Sequence, residues 1–207
     1  VRTDEWELDI VASGSQKGYM IPPGLSFISV SEKAWKSIER SNLPKFYLDL
    51  KSYKKSLIND SNPFTPSVNL MFALDEALKM MKEEGLKNIF QKHERHKLAI
   101  SEAAKKLNLK LFATQESLSP SITAIETQNF DAESFRKSIQ NKYDIQLAGG
   151  QDHLKGKIFR VGHLGYINDR DIISVITAIG LTLYEKNLVT DNEIGQALIE
   201  AKRHLEG

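Results

Sequence analysis

Apolar residues recur at two spacings along the chain, and these spacings predict an alternation of helices and strands. From Asn69 to Glu84 they recur every three or four residues, as on one face of a helix, and Gly85 favours its end there. The same spacing predicts further helices over residues 87–107, 131–143, 168–183 and 190–205. Short apolar runs predict strands over residues 6–12, 25–30, 109–113, 122–126, 145–148 and 158–161, the first of them buried.

Cap and turn signals complete this prediction. The pattern Ser29-x-x-Glu32 is typical of a capping box and predicts a helix after the second strand, and Thr190-x-x-Glu193 does the same for the last helix. Residues 47–57 are helical or irregular, and the turn formers of residues 59–66 predict a loop. The pattern as a whole indicates an α/β part followed by a smaller α+β part, in which helices cover a small sheet.

Composition excludes several classes of partner. With 28 Lys+Arg against 27 Asp+Glu, a net charge of +1 gives no electrostatic reason to expect nucleic acid or an anionic membrane. No apolar run is as long as a membrane span, and the acidic first nine residues do not resemble a signal peptide. Cysteine is absent, so the chain offers no disulfide and no thiolate ligand, and a cytoplasmic location is the default expectation.

One lysine lies on a loop of unusual composition. Gly14-Ser15-Gln16-Lys17 follows the first predicted strand, and Pro22-Pro23-Gly24 follows shortly after. Burial and neighbouring positive charge can remove the proton from a lysine, and the neutral amine forms Schiff bases with carbonyl compounds such as pyridoxal phosphate. The alternative is an ordinary lysine on a surface loop.

Two further side chains are candidates for binding. Arg160 ends an apolar strand before a glycine-rich turn, where its planar guanidinium could hold a carboxylate with two hydrogen bonds. The alternative is an arginine at the sheet edge, paired with an acid or solvated. Thr65 offers a loop hydroxyl, and from the residues alone it is better interpreted as a cap for the helix after Pro66.

Histidine and glycine motifs admit both functional and structural interpretations. His93-Glu94-Arg95-His96 places two imidazoles on one helix face, but without a third ligand a solvated face is favoured over a metal site, and no metal is predicted. His163 could line a pocket near Arg160 or be structural. Gly149-Gly150 lacks the strand–loop–helix context of a dinucleotide fingerprint and is interpreted as a turn.

The run DIVASGSQKGYMIPPGLSFISVS (residues 9–31) closely resembles the lysine segment of class V (fold type I) aminotransferases, the alanine–glyoxylate and serine–pyruvate aminotransferase group. The resemblance implies that Lys17 is the catalytic lysine and carries pyridoxal 5'-phosphate as a Schiff base. It places Gln16 and Ser15 near the cofactor phosphate. The segment F-R-V-G-x-L-G resembles the family segment whose arginine binds the α-carboxylate of the amino acid, so Arg160 takes that role.

The resemblance also implies an assembly. Thr65 matches a threonine that reaches the cofactor phosphate of the neighbouring subunit, so a homodimer with a shared active site is expected. A tyrosine often lies a few residues before that threonine, and Asn62 stands there in this chain. The reaction implied is transamination between a small amino acid, alanine or serine, and a small 2-oxo acid, glyoxylate or pyruvate.

The match runs nearly end to end through this chain but covers only the C-terminal part of a family member. Residues 1–68 are then expected to be the end of the cofactor-binding large domain, 69–85 a linking helix, and 86–207 the small C-terminal domain. The phosphate cradle, the aromatic residue stacked on the cofactor ring and the aspartate that pairs with its nitrogen are expected upstream of Val1. The alternative hypothesis is a non-catalytic C-terminal fragment that acts as a folding or interaction module.

The absence of cysteine narrows the family further. Cysteine desulfurases share this fold type but need a thiol nucleophile, which this chain does not supply. Cyanobacterial relatives are sometimes labelled soluble hydrogenase subunits. Hydrogenase sites use thiolate-bound metal, so that activity is not expected of this polypeptide alone.

Overall fold

The computed structural model describes residues 1–206, and the chain divides into two compact units, Val1–Glu83 and Glu84–Gly207. Among the described helices, none combines the length and the apolar character that crossing a membrane requires.

The first unit contains a two-stranded antiparallel sheet and three helices. Strand β1 (Ile10–Gly14) pairs with β2 (Ser26–Val30), so that Ile10 lies opposite Val30 and Gly14 opposite Ser26. The helices are α1 (Glu32–Arg40), α2 (Leu50–Leu57) and α3 (Val68–Glu84).

The prediction of a buried first strand that begins at Trp6 was wrong in both respects. The strand begins at Ile10, and the side chains of Trp6 and Ile10 are each 56% exposed. Residues before it form turns instead, in which Trp6 N donates to Arg2 O and Leu8 N to Thr3 O. A two-stranded sheet with no covering layer in its own unit leaves apolar side chains in contact with solvent.

The predicted cap of α1 was also displaced. Ser29 lies within β2, where it pairs with Val11, and the N-cap is Ser31. Its hydroxyl accepts from Ala34 N at 3.1 Å and donates to Asp9 at 2.8 Å. Strand β2 stays paired with β1 as far as Val30, so Ser29 cannot cap a helix. The helix therefore begins two residues later than the cap pattern suggested.

The second unit is a four-stranded antiparallel sheet with four helices. The strands are β3 (Lys110–Leu111), β4 (Ile122–Glu126), β5 (Ala148–Gly149) and β6 (Ile158–Gly162), in the spatial order β3-β4-β6-β5. The helices are α4 (Leu86–Lys106), α5 (Ala132–Tyr143), α6 (Asp169–Glu185) and α7 (Asp191–Leu205). The predicted capping box at Thr190 and Glu193 is present, and Asn168 forms a second one at α6.

Alternation along the two central strands decides which face of this sheet is buried. Ile125 pairs with Phe159 and Thr123 with Val161, and all four are at most 2% exposed. Ile125, Phe159 and Val161 form one core with apolar residues of α4, α5, α6 and α7. Because side chains alternate across a strand, the residue between Phe159 and Val161, which is Arg160, lies on the opposite face.

Candidate active site

The candidate lysine lies in the connection between β1 and β2, and hydrogen bonds close the base of this connection. Beyond the last ladder pair, Ser15 N donates to Leu25 O at 3.1 Å, and Leu25 N donates to the Ser15 hydroxyl at 3.2 Å. The same hydroxyl donates to Pro22 O at 2.8 Å. Within the connection, Met20 N donates to Lys17 O at 3.0 Å and forms a tight turn. We call residues 15–25 the lysine loop.

Glycine is required at one point of the lysine loop. Gly24 has φ of +141°, and a Cβ atom there would lie 2.5 Å from Leu70 Cδ1 of α3. A side chain at this position would strain the backbone and displace the leucine. The close approach therefore holds the end of the loop against α3.

Lys17 itself is exposed, as is Gln16. Within residues 1–206, Lys17 Nζ makes no hydrogen bond and no ion pair. The hydrogen-bonded lysine loop thus presents a primary amine that is not bonded to any group of the described residues.

Thr65 lies in a second loop that is anchored by an aromatic residue. The Phe64 ring is 5.5 Å from Phe46, 4.7 Å from Tyr47 and 6.2 Å from Tyr53, measured between ring centroids. Thr65 follows this anchor and is exposed, on a loop (60–66) that lines an open concavity of about 700 Å³. The interpretation of Thr65 as a helix cap was wrong, since Ser67 O accepts the first hydrogen bond of α3, from Met71 N.

Arg160 lies on the inner strand β6 and not at a sheet edge. Its neighbours across the two adjacent strands are Ala124 and Ala148, whose small side chains leave room around the guanidinium. Arg160 Nε donates to Gly149 O at 2.9 Å, which fixes the side chain through one nitrogen. In the described chain it has no acidic partner within ion-pair distance, so both terminal nitrogens remain to bind an anion.

The glycines beside Arg160 differ from the predicted turn. Gly149 is the last residue of β5, and Gly150 N donates to Ile158 O, which extends the pairing with β6. A Cβ atom on Gly150 would lie 2.1 Å from Leu154 O. Glycine is needed at position 150 because the backbone of Leu154 approaches it closely. The preceding residue, Gly149, supplies the carbonyl that accepts from Arg160 Nε.

The sequence had suggested a solvated helix face for the histidines of α4, but the structure shows that they are buried or hydrogen-bonded within the second unit. His96 is 1% exposed, and its Nε2 lies 2.8 Å from Asp169 Oδ1. His93 Nδ1 donates to Ile89 O, and its Nε2 accepts from Gly165 N at 3.1 Å. Of the residues described, no three histidine, cysteine or acidic side chains are grouped so that they could hold a metal ion. The two imidazoles therefore connect α4 to α6 and to the turn after β6.

His163 belongs to the same cluster and is structural in this chain. It is fully buried, and its Nε2 lies 3.0 Å from the Thr123 hydroxyl. Burial, reinforced by the nearby His96 and His93, lowers the pKa of His163 to about 4. Burial likewise lowers the pKa of His96, although Asp169 opposes the shift. His163 and His93 thus support the turn that follows Arg160.

Comparison with known proteins places this arrangement in one family. Residues 1–164 match the family described as Aminotransferase class-V. The chain therefore belongs to the class-V aminotransferases. Its fold is the α/β fold of pyridoxal-phosphate aminotransferases of fold type I.

Three similar proteins illustrate the relationship. The soluble hydrogenase small subunit of Synechococcus sp. (strain PCC 6716) is 55% identical over 89% of this chain and 48% of its own length. The serine–glyoxylate aminotransferase of Methylorubrum extorquens is 34% identical over 90% of this chain and 48% of its own length. The crystal structure of pyridoxamine–pyruvate aminotransferase from Mesorhizobium loti superposes with a TM-score of 0.92 and 26% identity, over 100% of this chain and 54% of that one. The chain thus spans about half the length of these proteins.

Proposed function

We propose that this chain works as part of a pyridoxal-phosphate aminotransferase that moves an amino group from alanine or serine to glyoxylate or pyruvate. The observation that carries the proposal is the exposed amine of Lys17, which lies on a loop with a hydrogen-bonded base. Family membership supports the reaction class, and the activities named for the relatives support glyoxylate or pyruvate as the acceptor.

The residues present fit pyridoxal phosphate chemically. The cofactor needs a primary amine at its aldehyde carbon and hydrogen-bond donors around its phosphate. Lys17 offers the amine, and the Gln16 amide and the Thr65 hydroxyl are exposed donors. When bound, the cofactor ring supplies a sink for the electrons left at the substrate α-carbon.

The protein side of the reaction then divides between two residues. Lys17 would hold the cofactor through its amine, and the same amine would accept and return a proton at the substrate α-carbon. Arg160 holds the substrate α-carboxylate through its two terminal nitrogens, while Gly149 O keeps Nε in place. This division assigns proton transfer to Lys17 and orientation to Arg160.

The position of Thr65 supports an assembly of two subunits. A hydroxyl beside an aromatic anchor, on an exposed loop, is suited to serve a neighbouring subunit. In a two-fold dimer each site would borrow one such hydroxyl from its partner. We therefore propose a homodimer with a shared active site.

The second candidate is a non-catalytic interaction module. It is favoured by the large apolar side chains that the first unit exposes, among them Phe46 at 80% and Phe72 at 72%. A module of this kind would need neither Lys17 nor Arg160, so substitutions at these positions separate the two functions.

The test is the rate of amino-group transfer by the full-length protein with a panel of amino donors. Arg160→Lys keeps the charge but loses the planar fork, so kcat/KM should fall roughly 30- to 150-fold, as expected for a lost buried contact of about 2–3 kcal/mol. The matched control is Arg170→Lys, on an exposed arginine of the same unit, which should leave kcat/KM unchanged. Unchanged kcat/KM in Arg160→Lys for every donor would remove Arg160 from the site.

A further inference from the structure

Ser15 is the one residue of the lysine loop whose side chain is fully buried and hydrogen-bonded at both of its capacities. It is 0% exposed, donates its proton to Pro22 O at 2.8 Å and accepts from Leu25 N at 3.2 Å. We infer that Ser15 is a positioning residue for Lys17 that closes the lysine loop, and not a ligand of the cofactor phosphate. The inference rests on the proposed role of Lys17.

The proton count of a hydroxyl supports this assignment. A serine hydroxyl has one proton to donate, whereas phosphate oxygens in a binding site accept hydrogen bonds. The Ser15 proton already points to the Pro22 carbonyl. Donation to a phosphate would break that bond and leave the carbonyl of Pro22 without this partner. Gln16 and Lys17 are exposed, and their side-chain donors make no hydrogen bond within the described residues.

The position of Ser15 explains how it acts on Lys17. The strand ladder ends at Gly14 and Ser26, and Ser15 N adds one more bond to Leu25 O. The Ser15 hydroxyl then accepts from Leu25 N, and this bond replaces the second backbone bond that a continued ladder would have at this pair. Through Pro22 it also ties the far corner of the loop to the base, so residues 16–21 form a short segment closed at both ends and braced by the turn bond from Met20 N to Lys17 O. Lys17 lies two residues from this anchor.

Pyridoxal without its phosphate separates a loop clamp from a phosphate ligand. In the full-length protein, both pyridoxal and pyridoxal phosphate can be fixed to lysine by borohydride and quantified at Lys17 by peptide mapping. A clamp contributes to both reactions, whereas a phosphate ligand contributes only to the second. Ser15→Ala should therefore weaken both apparent affinities by the same factor, roughly tenfold for a lost hydrogen-bonded group, and leave their ratio within about twofold of wild type.

Two control variants bracket this result. Ser13→Ala removes an exposed hydroxyl of β1 and should change neither affinity. Gln16→Ala removes a proposed phosphate donor and should reduce the affinity for pyridoxal phosphate alone. If Ser15→Ala behaved like Gln16→Ala, Ser15 would be a phosphate ligand; if it behaved like Ser13→Ala, it would have no positioning role. Absence of labelling at Lys17 in the wild type would instead contradict the proposed function.

Amide hydrogen exchange tests the clamp without any cofactor. Leu25 N–H should be protected in the wild type, and its exchange should rise at least tenfold in Ser15→Ala but not in Ser13→Ala. The amide of Val11, which lies in the strand pair, serves as the internal reference. Should Ser15→Ala fail to fold, the wild-type rate still decides, because fast exchange of Leu25 there would contradict a closed loop.

Discussion

The two units of this chain bury their apolar residues very differently. In Glu84–Gly207, a continuous core includes Phe135 and Phe159, both 0% exposed. In Val1–Glu83, the buried apolar residues are Ile21, Ala34 and Ala77, while large side chains such as Phe46 and Leu48 are 80% and 78% exposed. The contrast teaches that the second unit carries its own hydrophobic stabilisation, whereas the first is held by local devices such as the Ser15 clamp and the Phe64 cluster.

Separating the units should produce the largest effect. Residues 84–207, expressed alone, should unfold cooperatively in urea, because one core joins their four helices and sheet. Residues 1–83 alone should show no cooperative transition, because a two-stranded sheet without a covered face is marginal in water. Circular dichroism against urea concentration measures both. A sharp transition in residues 1–83 would show that the first unit also has a stabilising core of its own.

Truncating one phenylalanine in each unit should give the next largest difference. Phe159→Ala opens a cavity in the core and should lower the free energy of unfolding by about 3–5 kcal/mol. Phe72→Ala, at a side chain that is 72% exposed, should change it by less than about 0.5 kcal/mol. Urea unfolding of the 207-residue chain gives both values. Equal losses would show that burial within the chain does not distinguish the units.

Acid should weaken the second unit through its buried histidine. The pKa of His163 is lowered to about 4, while an unfolded histidine titrates near 6.5, so the unfolded state binds more protons between these values. The contribution of His163 to the free energy of unfolding is therefore greatest above pH 6.5, falls as the pH drops and levels off below about 4. For one such group the slope is at most about 1.4 kcal/mol per pH unit.

Urea unfolding of residues 84–207 between pH 5 and 7 measures this slope. His163→Gln should reduce the slope and leave the part that the buried His96 contributes, whereas the matched control His153→Gln, at an exposed histidine of the same unit, should not change it. If the slope were the same in wild type and His163→Gln, the buried imidazole would not be the group that titrates.

Helix caps should give the smallest effects and test the corrected position in the first unit. Thr190→Ala removes an observed capping box and should cost about 1 kcal/mol. Ser31→Ala should cost a similar amount locally, because its hydroxyl caps α1 and binds Asp9. Ser29→Ala, at the position first suggested by the sequence, should cost less than about 0.5 kcal/mol. The urea midpoint reports the loss in Thr190→Ala, and helical content measured by circular dichroism reports the difference between Ser31→Ala and Ser29→Ala.

Sequence patterns predicted the second unit better than the first, for physical reasons. In residues 84–206 periodicity and caps act together with burial, so β4, α5 and α7 lie close to where they were expected. In residues 1–83 the strand bounds depend on pairing rather than on apolar runs. The first strand therefore begins at Ile10, and the cap moves to Ser31.

The candidate site shows the same division. Lys17 on a loop and Arg160 within an apolar strand could be read from the sequence, because these are local features, although Arg160 lies in the middle of β6 and not at its end. Long-range contacts could not be. The bond from Arg160 Nε to Gly149 O and the one from Gly165 N to His93 Nε2 join residues that are distant along the chain. No local pattern shows such pairs.

The identity of the lysine that carries the cofactor tests the proposed role of Lys17 most directly. Full-length protein incubated with pyridoxal phosphate is reduced with borohydride, digested and mapped by mass spectrometry. A single stoichiometric adduct is expected on Lys17, which Lys17→Ala abolishes while a control such as Lys33→Ala does not. An adduct on any other lysine, or equal labelling in Lys17→Ala, would contradict that role.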